Sequence, residues 1–223
     1  MKRNVLHGFT LIELLIVVAI IAILAAIAVP NFLEAQVRSK VSRCRADMRS
    51  IANALESYAV DHRKYPFTLP ASEDLDGYGN VRAYAYLTTP DCLTTPQAYI
   101  TSIIADPFKV GAVANVGPNQ GKPYDNGDPQ DLAYIYLCMR QAGPNDGDPG
   151  LGFGFFTSAE SWGEYYDKWG EWRMASIGPA RLYPGGTWNV EFKSIDAIYD
   201  PTNGTISKGM VVRNQKDPEG KNR

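Results

Sequence analysis

A single acidic residue inside a long apolar segment constrains this chain more than any other feature. Between Phe9 and Val29 the one charged side chain is that of Glu13. At about 1.5 Å rise per residue, a helix of this length spans roughly 30 Å, the thickness of the hydrocarbon core of a bilayer, so the segment is predicted to cross a membrane. An ionisable side chain near the centre of such a helix costs about 2.5–3.5 kcal/mol, and less toward an end, so it usually has a partner.

The apolar helix does not supply a cation for Glu13, since Lys and Arg are absent between Phe9 and Gln36. The cation must come from another molecule or from a new amino terminus. Cleavage between Gly8 and Phe9 would leave a cationic amine on Phe9. Staggered packing of identical helices would then place that amine beside Glu13 of a neighbour, which is the arrangement of a filament subunit.

The residues around this segment resemble the class III leader of type IV pilins and type II secretion pseudopilins. The resemblance rests on Lys2, Arg3 and the run Gly8-Phe9-Thr10-Leu11-Ile12-Glu13. It implies that a prepilin peptidase cuts after Gly8 on the cytoplasmic side and methylates Phe9, and that Glu13 supports subunit addition. In the family a proline follows the apolar stretch, where Pro30 stands here.

Later landmarks are similar, though more weakly, to the major pseudopilins of type II secretion. They are Tyr65-Pro66, Asp106-Pro107-Phe108, Tyr134-Ile135-Tyr136 and Ala175-Ser176-Ile177-Gly178-Pro179. Taken from the residues alone, these are turns and strand starts. The major pseudopilins are therefore the part of the family that this chain resembles most.

Two other interpretations of the apolar segment stay open. A secretory signal is suggested by the basic start, the apolar core and Ala26-Ile27-Ala28, although the core is longer than usual and carries Glu13. A plain single-span anchor leaves Glu13 without a reason. Positive charges do not give the orientation, because two precede the span and five follow it within residues 38–49. A cytoplasmic leader with the carboxy-terminal bulk outside the cytoplasm is implied by the resemblance.

An apolar stripe of helical period continues beyond Pro30, and its members are Val37, Val41, Cys44, Met48, Ile51, Leu55 and Tyr58. Pro66 disfavours helix at the residue before it, so one helix is predicted from about Phe9 to Asp61. At ~80 Å it exceeds what a bilayer needs, and its second half should pack on a domain. The charged residues of 37–64, seven of them basic, are interpreted as a mostly solvated face, with subunit contacts as the alternative.

After Pro66 the sequence is rich in turns between short apolar runs at 132–139, 174–177, 188–192 and 210–212, which predict antiparallel strands. The predicted fold class is α+β and pilin-like, with a long N-terminal hydrophobic helix packed on a small antiparallel sheet domain. The predicted organisation is a leader at 1–8, a transmembrane and assembly helix at 9–29, an amphipathic second half at 30–64 and a globular domain at 65–223. An aromatic-rich insertion is predicted at 140–172.

Calcium is a cofactor candidate through the resemblance, which implies a late loop that binds this ion with carboxylates and carbonyls. Asp196 and Asp200 are the candidate ligands. The family's later acidic position is occupied by Gly209-Met210-Val211, without an acid. The acids at 125, 128, 131, 146 and 148 do not match the EF-hand spacing, and turn chemistry explains them better.

An aromatic segment at 157–172 is the most distinctive part of the domain. Trp162, Tyr165, Trp169 and Trp172 fall at helical spacing and are predicted to line one face. Such a face would bind sugar rings, peptide or a partner subunit, but packing onto the domain is the favoured interpretation.

Signals for catalysis are weak, and no enzyme is predicted. Of the two histidines, His7 leaves with the leader and His62 lies at a charged helix end. The glycine-rich run at 117–123 is one residue short of a P-loop and lacks its Ser or Thr. Three cysteines allow at most one disulfide, with Cys92 and Cys138 as the favoured pair. The mildly acidic charge argues against nucleic acid as a partner.

The sequence thus predicts a single-pass protein of the inner membrane that assembles into a periplasmic or extracellular filament. The first interpretation is a structural subunit of a type II secretion pseudopilus. Its implied partners are copies of itself, other pseudopilins, the prepilin peptidase and an inner-membrane assembly platform. The alternatives are a type IV pilin for adhesion, motility or DNA uptake, and a membrane-anchored ligand-binding module.

Overall fold

The computed structural model describes residues 9–66, 89–112, 132–139, 159–179, 181, 198–200, 202 and 209–219. In these residues, helix α1 spans Leu11–His62 and a short 3-10 turn spans Asp91–Leu93. Strand β1 (Ile135–Cys138), helix α2 (Ala159–Trp169), strand β2 (Trp172–Ser176) and strand β3 (Val211–Asn214) follow. The three described strands form one antiparallel sheet in the order β1-β2-β3. The predicted α+β fold, a long helix with a small antiparallel sheet, is confirmed.

Helix α1 begins and ends where local chemistry predicts. Thr10 is extended, with φ −84° and ψ 151°, and its side chain caps the first turn. Arg63 closes the helix in the left-handed region, with φ 57° and ψ 21°, three residues before Pro66. The predicted helix from Phe9 to Asp61 therefore differs from the observed one by two residues at its start and one at its end. Pro30 lies inside the helix.

The two halves of α1 have opposite environments. From Leu11 to Leu33 the apolar side chains are exposed, at 83% for Leu11 and 62% for Ile27. By length and composition α1 is able to cross a membrane, and the apolar part of it is not buried within the described structure. In the second half the predicted stripe packs against the domain. Its buried members are Val41, Cys44, Met48, Ile51 and Leu55, joined by Ala52 and Ala54, and its partly buried ends are Val37 and Tyr58.

Alternate residues of β2 face α1 and fill the core between helix and sheet. The indole Nε1 of Trp172 donates to Glu56 Oε1 at 3.1 Å, and the thiol of Cys44 lies 3.8 Å from Ser176 Oγ. Met174, between these two strand residues, is fully buried and lies opposite Tyr136 of β1 and Arg213 of β3. One face of the sheet therefore lies against the second half of α1.

The aromatic segment is helix followed by strand, which corrects the prediction of one helical face through residue 172. Helix α2 ends at Trp169, Gly170 has φ +85°, and Trp172 begins β2. A Cβ at Gly170 would also lie 2.4 Å from Gln215 Oε1, so this turn needs glycine. Trp169 and Trp172 are both buried, which confirms packing for these two residues. The side chains of Trp162 and Tyr165 lie outside the described residues.

The three cysteines are free thiols, so the expected Cys92–Cys138 disulfide is not formed. The two residues belong to different elements, although both lie near Tyr136 of β1. The 3-10 turn directs the half-buried Cys92 thiol toward Tyr58 of α1, whereas Cys138 is buried in β1 opposite Trp172.

Alkylation of the folded, detergent-solubilised chain at about pH 8 should spare Cys44, because burial raises the pKa of its thiol to about 12 and the thiolate is the reactive form. Half-buried Cys92 should react before it. Peptide mass spectrometry after timed iodoacetamide treatment would measure the order. Unfolding without reductant should then expose three alkylatable thiols. Uptake of a single alkyl group would contradict the free thiols and restore the Cys92–Cys138 pair.

Candidate functional site

The amino-terminal end of α1 is built around a reciprocal cap between Thr10 and Glu13. The backbone N–H of Thr10 donates to Glu13 Oε2 at 2.9 Å, and the Thr10 hydroxyl donates to the same oxygen at 2.7 Å. The backbone N–H of Glu13 in turn donates to Thr10 Oγ1 at 3.3 Å. This is a capping box, which satisfies amide groups that the first turn of a helix leaves without partners.

The cap uses one carboxylate oxygen of Glu13 and leaves the other available. Within the described residues, Oε1 of Glu13 makes no hydrogen bond and the carboxylate has no ion pair. Thr10 is the functional neighbour that sequence reasoning missed, although the spacing T-x-x-E before an apolar run is the readable signature of this cap.

The surroundings of Glu13 are exposed and apolar. Phe9 lies immediately before the cap, and the side chains that follow Glu13 along α1 are exposed Leu, Ile and Val residues. A helix that is apolar on all sides is stable when lipid or other apolar helices cover it. A carboxylate in such cover lies in a medium of low dielectric constant, where a cationic partner interacts strongly with it.

The other residues predicted for this site are not brought together with Glu13. Gly8 lies outside the described residues. Pro30 lies 17 positions farther along α1, which corresponds to about 26 Å of helix axis. Since proline has no N–H, the carbonyl of Ala26 lacks its usual helical donor. Phe9, Glu13 and Pro30 therefore mark the two ends of one exposed apolar segment.

The candidate calcium ligands are described only in part. The Oδ1 atom of Asp200 accepts from the backbone N–H of Thr202 at 2.8 Å and from its hydroxyl at 2.7 Å, which is turn chemistry. Asp196 lies outside the described residues. Within the part of the chain that the structure describes, no cluster of three His, Cys, Asp or Glu is arranged to hold a metal ion. The calcium site stays a prediction.

Gly209 lies in a close contact between two backbone segments that leaves no room for a side chain. The backbone N–H of Tyr199 donates to the carbonyl of Met210 at 2.8 Å, which brings the segment at 198–200 against residues 209–210. A Cβ at Gly209 would lie 2.1 Å from the carbonyl carbon of Ile198. Any side chain at position 209, acidic or not, would require this contact to open.

A buried carboxylate joins three parts of the domain. The Oδ1 atom of Asp106 accepts from the backbone N–H of Phe108 at 2.9 Å and from Ser176 Oγ at 2.8 Å. Its Oδ2 accepts from the backbone N–H of Ile177 at 3.1 Å. Burial raises the pKa of Asp106, against the opposing effect of these hydrogen bonds. The turn predicted at Asp106-Pro107 is thus also an internal anchor, a role that depends on contacts distant in sequence.

Three carboxylates of α1 accept hydrogen bonds from the domain, while Glu56 and Asp61 stay exposed, as expected for a mostly solvated face. Asp47 accepts from the hydroxyl of Tyr134 at 2.9 Å, and Asp61 accepts from that of Tyr99 at 2.8 Å. Between them, Glu56 accepts from the Trp172 indole at 3.1 Å and from the Tyr65 hydroxyl at 2.7 Å. We call these carboxylates the helix anchors. The local charge pattern did not reveal them because their donors come from other elements.

His62 is the histidine in the described residues, and its position does not suggest catalysis. Its ring stacks on Tyr58 with 4.1 Å between the ring centroids, at the last turn of α1. In the described part of the chain it belongs to no group of three His, Cys, Asp or Glu that could hold a metal ion.

Comparison with known proteins agrees with the geometry of the amino terminus. A family model described as the prokaryotic N-terminal methylation motif matches residues 4–29. The chain is similar to the type II secretion system core protein G of Klebsiella michiganensis, 34% identical over 121 residues that cover 54% of this chain and 80% of that protein. The core protein G of Escherichia coli is 32% identical over 121 residues, 53% of this chain and 77% of that protein.

A pilin is also among the similar proteins. The type IV major pilin protein PilA of Myxococcus xanthus is 38% identical over 114 residues, which cover 48% of this chain and 52% of that protein. The chain thus spans about half the length of this relative. No solved structure matches the chain with significance.

Proposed function

Because the chain belongs to the superfamily of type IV pilins and type II secretion pseudopilins, we propose that it is a structural subunit of a type II secretion pseudopilus. The observation that supports the role of filament subunit is the half-satisfied carboxylate of Glu13 at the start of an exposed apolar helix. A plain anchor would use Glu13 for the helix cap but would leave its second oxygen without a role. A subunit that adds to a stack of identical helices uses it to receive a cation.

The chemistry of assembly follows from the cap. Hydrolysis of the Gly8–Phe9 bond by the prepilin peptidase leaves a carboxylate on Gly8 and an ammonium group on Phe9, and methylation of that amine keeps its positive charge. The free Oε1 of Glu13 then receives the ammonium group of a neighbouring subunit, while Oε2 remains bound to Thr10. The exposed apolar residues of parallel helices cover one another, which removes from lipid or water the surface that is uncovered in the single chain.

The organisation proposed for the chain places each part in a compartment. Residues 1–8 are the cytoplasmic leader, residues 9–29 cross the inner membrane, and residues 30–64 form the second half of the helix outside the cytoplasm, with the domain at 65–223. The partners are copies of this chain, other pseudopilins, the peptidase and an assembly platform in the inner membrane. The coarser statement, a membrane-anchored subunit of a filament, is supported by the apolar helix and the named relatives.

Two long alignments support the pseudopilus, whereas the core protein G of Pseudomonas aeruginosa is covered over 53% of its length, about as far as the pilin. The two core G proteins align over 77% and 80% of their own lengths, whereas the pilin aligns over 52% of its length. A type IV pilin is the second candidate, since a type IV pilin is among the similar proteins.

Tandem mass spectrometry of the amino terminus, on membrane-associated protein from the native host, tests the proposal. We expect a chain that starts at N-methylated Phe9, and a Gly8→Val variant that retains Met1 or Lys2 because its leader is not removed. A start at Val29 would indicate a secreted soluble protein, and an intact leader in the wild-type chain would indicate a simple anchor. Either result would contradict the proposed function.

A deletion strain separates the two filament types. Loss of the chain should reduce the export of proteins to the medium if the filament is a pseudopilus, and surface filaments should persist. Loss of surface filaments with unchanged export would replace the pseudopilus by a type IV pilus.

A further inference from the structure

Two arginines beside the sheet have no carboxylate partner in the described structure. Arg45 and Arg49 lie one helical turn apart on α1, and both side chains are exposed. The described ion pairs involve other residues: Arg38 with Glu34, Arg43 with Asp47 and Lys168 with Glu164. The two charges on this flank of α1 are therefore not neutralised within the described part of the chain.

A third arginine from the sheet joins them. Arg213 of β3 lies opposite Met174, between Trp172 and Ser176, and these two residues contact α1. The Arg213 side chain is thus on the face of the sheet that α1 covers. Its Nη1 donates to the carbonyl of Pro218 at 3.2 Å, but its Nε is buried without a hydrogen-bond partner. Burial, and then the positive charge of Arg49, lower the pKa of Arg213.

We call Arg45, Arg49 and Arg213 the arginine cluster. Like charges placed together without a counter-ion repel each other, and a buried guanidinium N–H without an acceptor adds a further cost. The repulsion is relieved by a carboxylate or phosphate, whose oxygens match the fork of guanidinium donors. The cluster therefore fits an anionic partner that is absent from the single chain.

The position of the cluster along α1 argues against lipid headgroups. Arg45 and Arg49 lie 16 and 20 residues beyond Val29, which corresponds to about 24 and 30 Å of helix axis past the apolar segment. The headgroup layer on one side of a bilayer is only about 5–8 Å thick. For a helix that crosses the membrane upright, the cluster is beyond the reach of phosphate groups, so a protein carboxylate is the better partner.

The charge distribution of the chain indicates which protein supplies this carboxylate. Residues 31–64 contain seven Lys or Arg and four Asp or Glu, whereas residues 67–200 contain 17 Asp or Glu and eight Lys or Arg. A basic helix and an acidic domain in one chain are complementary between copies. In an open helical filament the contacts between copies are heterologous, so a basic surface of one copy can meet a different, acidic surface of the next.

We propose that the arginine cluster is a docking site for carboxylates on the domain of a second copy of this chain. This inference rests on the proposed function, because it requires a filament of like subunits. It assigns a second contact between subunits to the carboxyl-terminal half of α1. In this contact the helix supplies the positive charges and the neighbouring subunit supplies the carboxylates, whereas at Glu13 the helix supplies the carboxylate.

Neutralisation of single arginines tests the docking site. Full-length Arg49→Gln should form about tenfold fewer multimers than wild type on formaldehyde cross-linking of intact native-host cells, because a charge-assisted contact is lost. Arg49→Lys, which keeps the charge, should retain most of them. Arg63→Gln is the matched control, since Arg63 is an exposed arginine at the end of the same helix and has no described ion pair. Its multimers should equal those of wild type.

The outcomes distinguish this inference from the proposed function. Wild-type multimers from Arg49→Gln, together with their loss in Glu13→Ala, would overturn the docking site and leave the subunit role intact. Absence of multimers in the wild-type chain would overturn both. If Arg49→Gln instead loses binding to phosphatidylglycerol vesicles and keeps its multimers, the cluster serves headgroups and the inference is wrong. Unchanged protease resistance of the variant in detergent controls for folding.

Discussion

Replacing Glu13 with alanine should abolish filament assembly while the chain remains folded and membrane-bound. Loss of one member of a buried ion pair costs about 3–5 kcal/mol, which is more than about 100-fold in an equilibrium constant. Glu13 is exposed in the single chain and lies far from the core of the domain, so the fold should not change. Formaldehyde cross-linking in the native host, with membrane fractionation of the monomer, measures both effects.

Two variants separate the charge of Glu13 from its role in the cap. Glu13→Gln keeps an acceptor for Thr10 but has no negative charge, so it should fail to assemble as Glu13→Ala does. Thr10→Ala removes the side-chain cap, at about 1 kcal/mol, and keeps the carboxylate, so it should assemble with a modest loss. Normal assembly of Glu13→Ala would contradict the subunit role and would favour a membrane-anchored ligand-binding module.

Replacing Asp106 with alanine should destabilise the domain by about 3 kcal/mol or more, because it leaves two buried backbone N–H groups and a serine hydroxyl without their acceptor. Urea unfolding of the full chain in mild detergent measures the change. Tryptophan fluorescence is a suitable signal, since Trp169 and Trp172 are buried near the same sheet. The midpoint should fall, and the chain should become sensitive to protease at lower urea concentrations.

The controls for Asp106 use one conservative and one distant substitution. Asp106→Asn keeps one acceptor oxygen but replaces the other with an NH2 group, which cannot accept a hydrogen bond. An intermediate loss of stability is therefore expected. Asp91→Ala removes an exposed carboxylate in the 3-10 turn and should change stability by less than about 0.5 kcal/mol. Equal midpoints for Asp106→Ala and Asp91→Ala would show that the buried carboxylate does not anchor the domain.

Helices and strands whose formation depends on nearby residues were predicted from the sequence. The predicted ends of α1 lie within two residues of the observed ones, because the apolar periodicity is continuous and Pro66 disfavours helix just beyond the C-cap Arg63. Three of the four predicted strands lie in the described residues and were found, at 135–138, 172–176 and 211–214, whereas the run at 188–192 lies outside them. Short apolar runs between turns are sufficient for such predictions.

The errors arose where contacts between distant segments decide the structure. Trp172 shares a helical period with Trp169, but Gly170 turns the chain and pairing with Cys138 places Trp172 in a strand. Asp106 has the local signature of a turn, while its partners lie about 70 residues later. The expected cysteine pair was wrong for the same reason, since spacing along the chain does not tell which thiols face each other.

Some residues of the candidate site were predictable from the sequence and others were not. Glu13 stands out because a charge in an apolar segment is costly wherever the segment lies. Its bond to Thr10 is readable from spacing and was missed, whereas the arginine cluster needs the position of β3 beside α1. The roles of Gly8, Phe9, Glu13 and Pro30 in processing and assembly stay predictions.

The helix anchors have a mechanical consequence. Asp47, Glu56 and Asp61 hold the domain at three points spread over about 21 Å of the axis of α1. A force that pulls α1 lengthwise acts on these hydrogen bonds in shear, so they share the load instead of breaking one after another. Sliding of the domain along its helix would therefore have to break several of these hydrogen bonds at once. A subunit built in this way would transmit a push or pull along its axis as a single rigid strut.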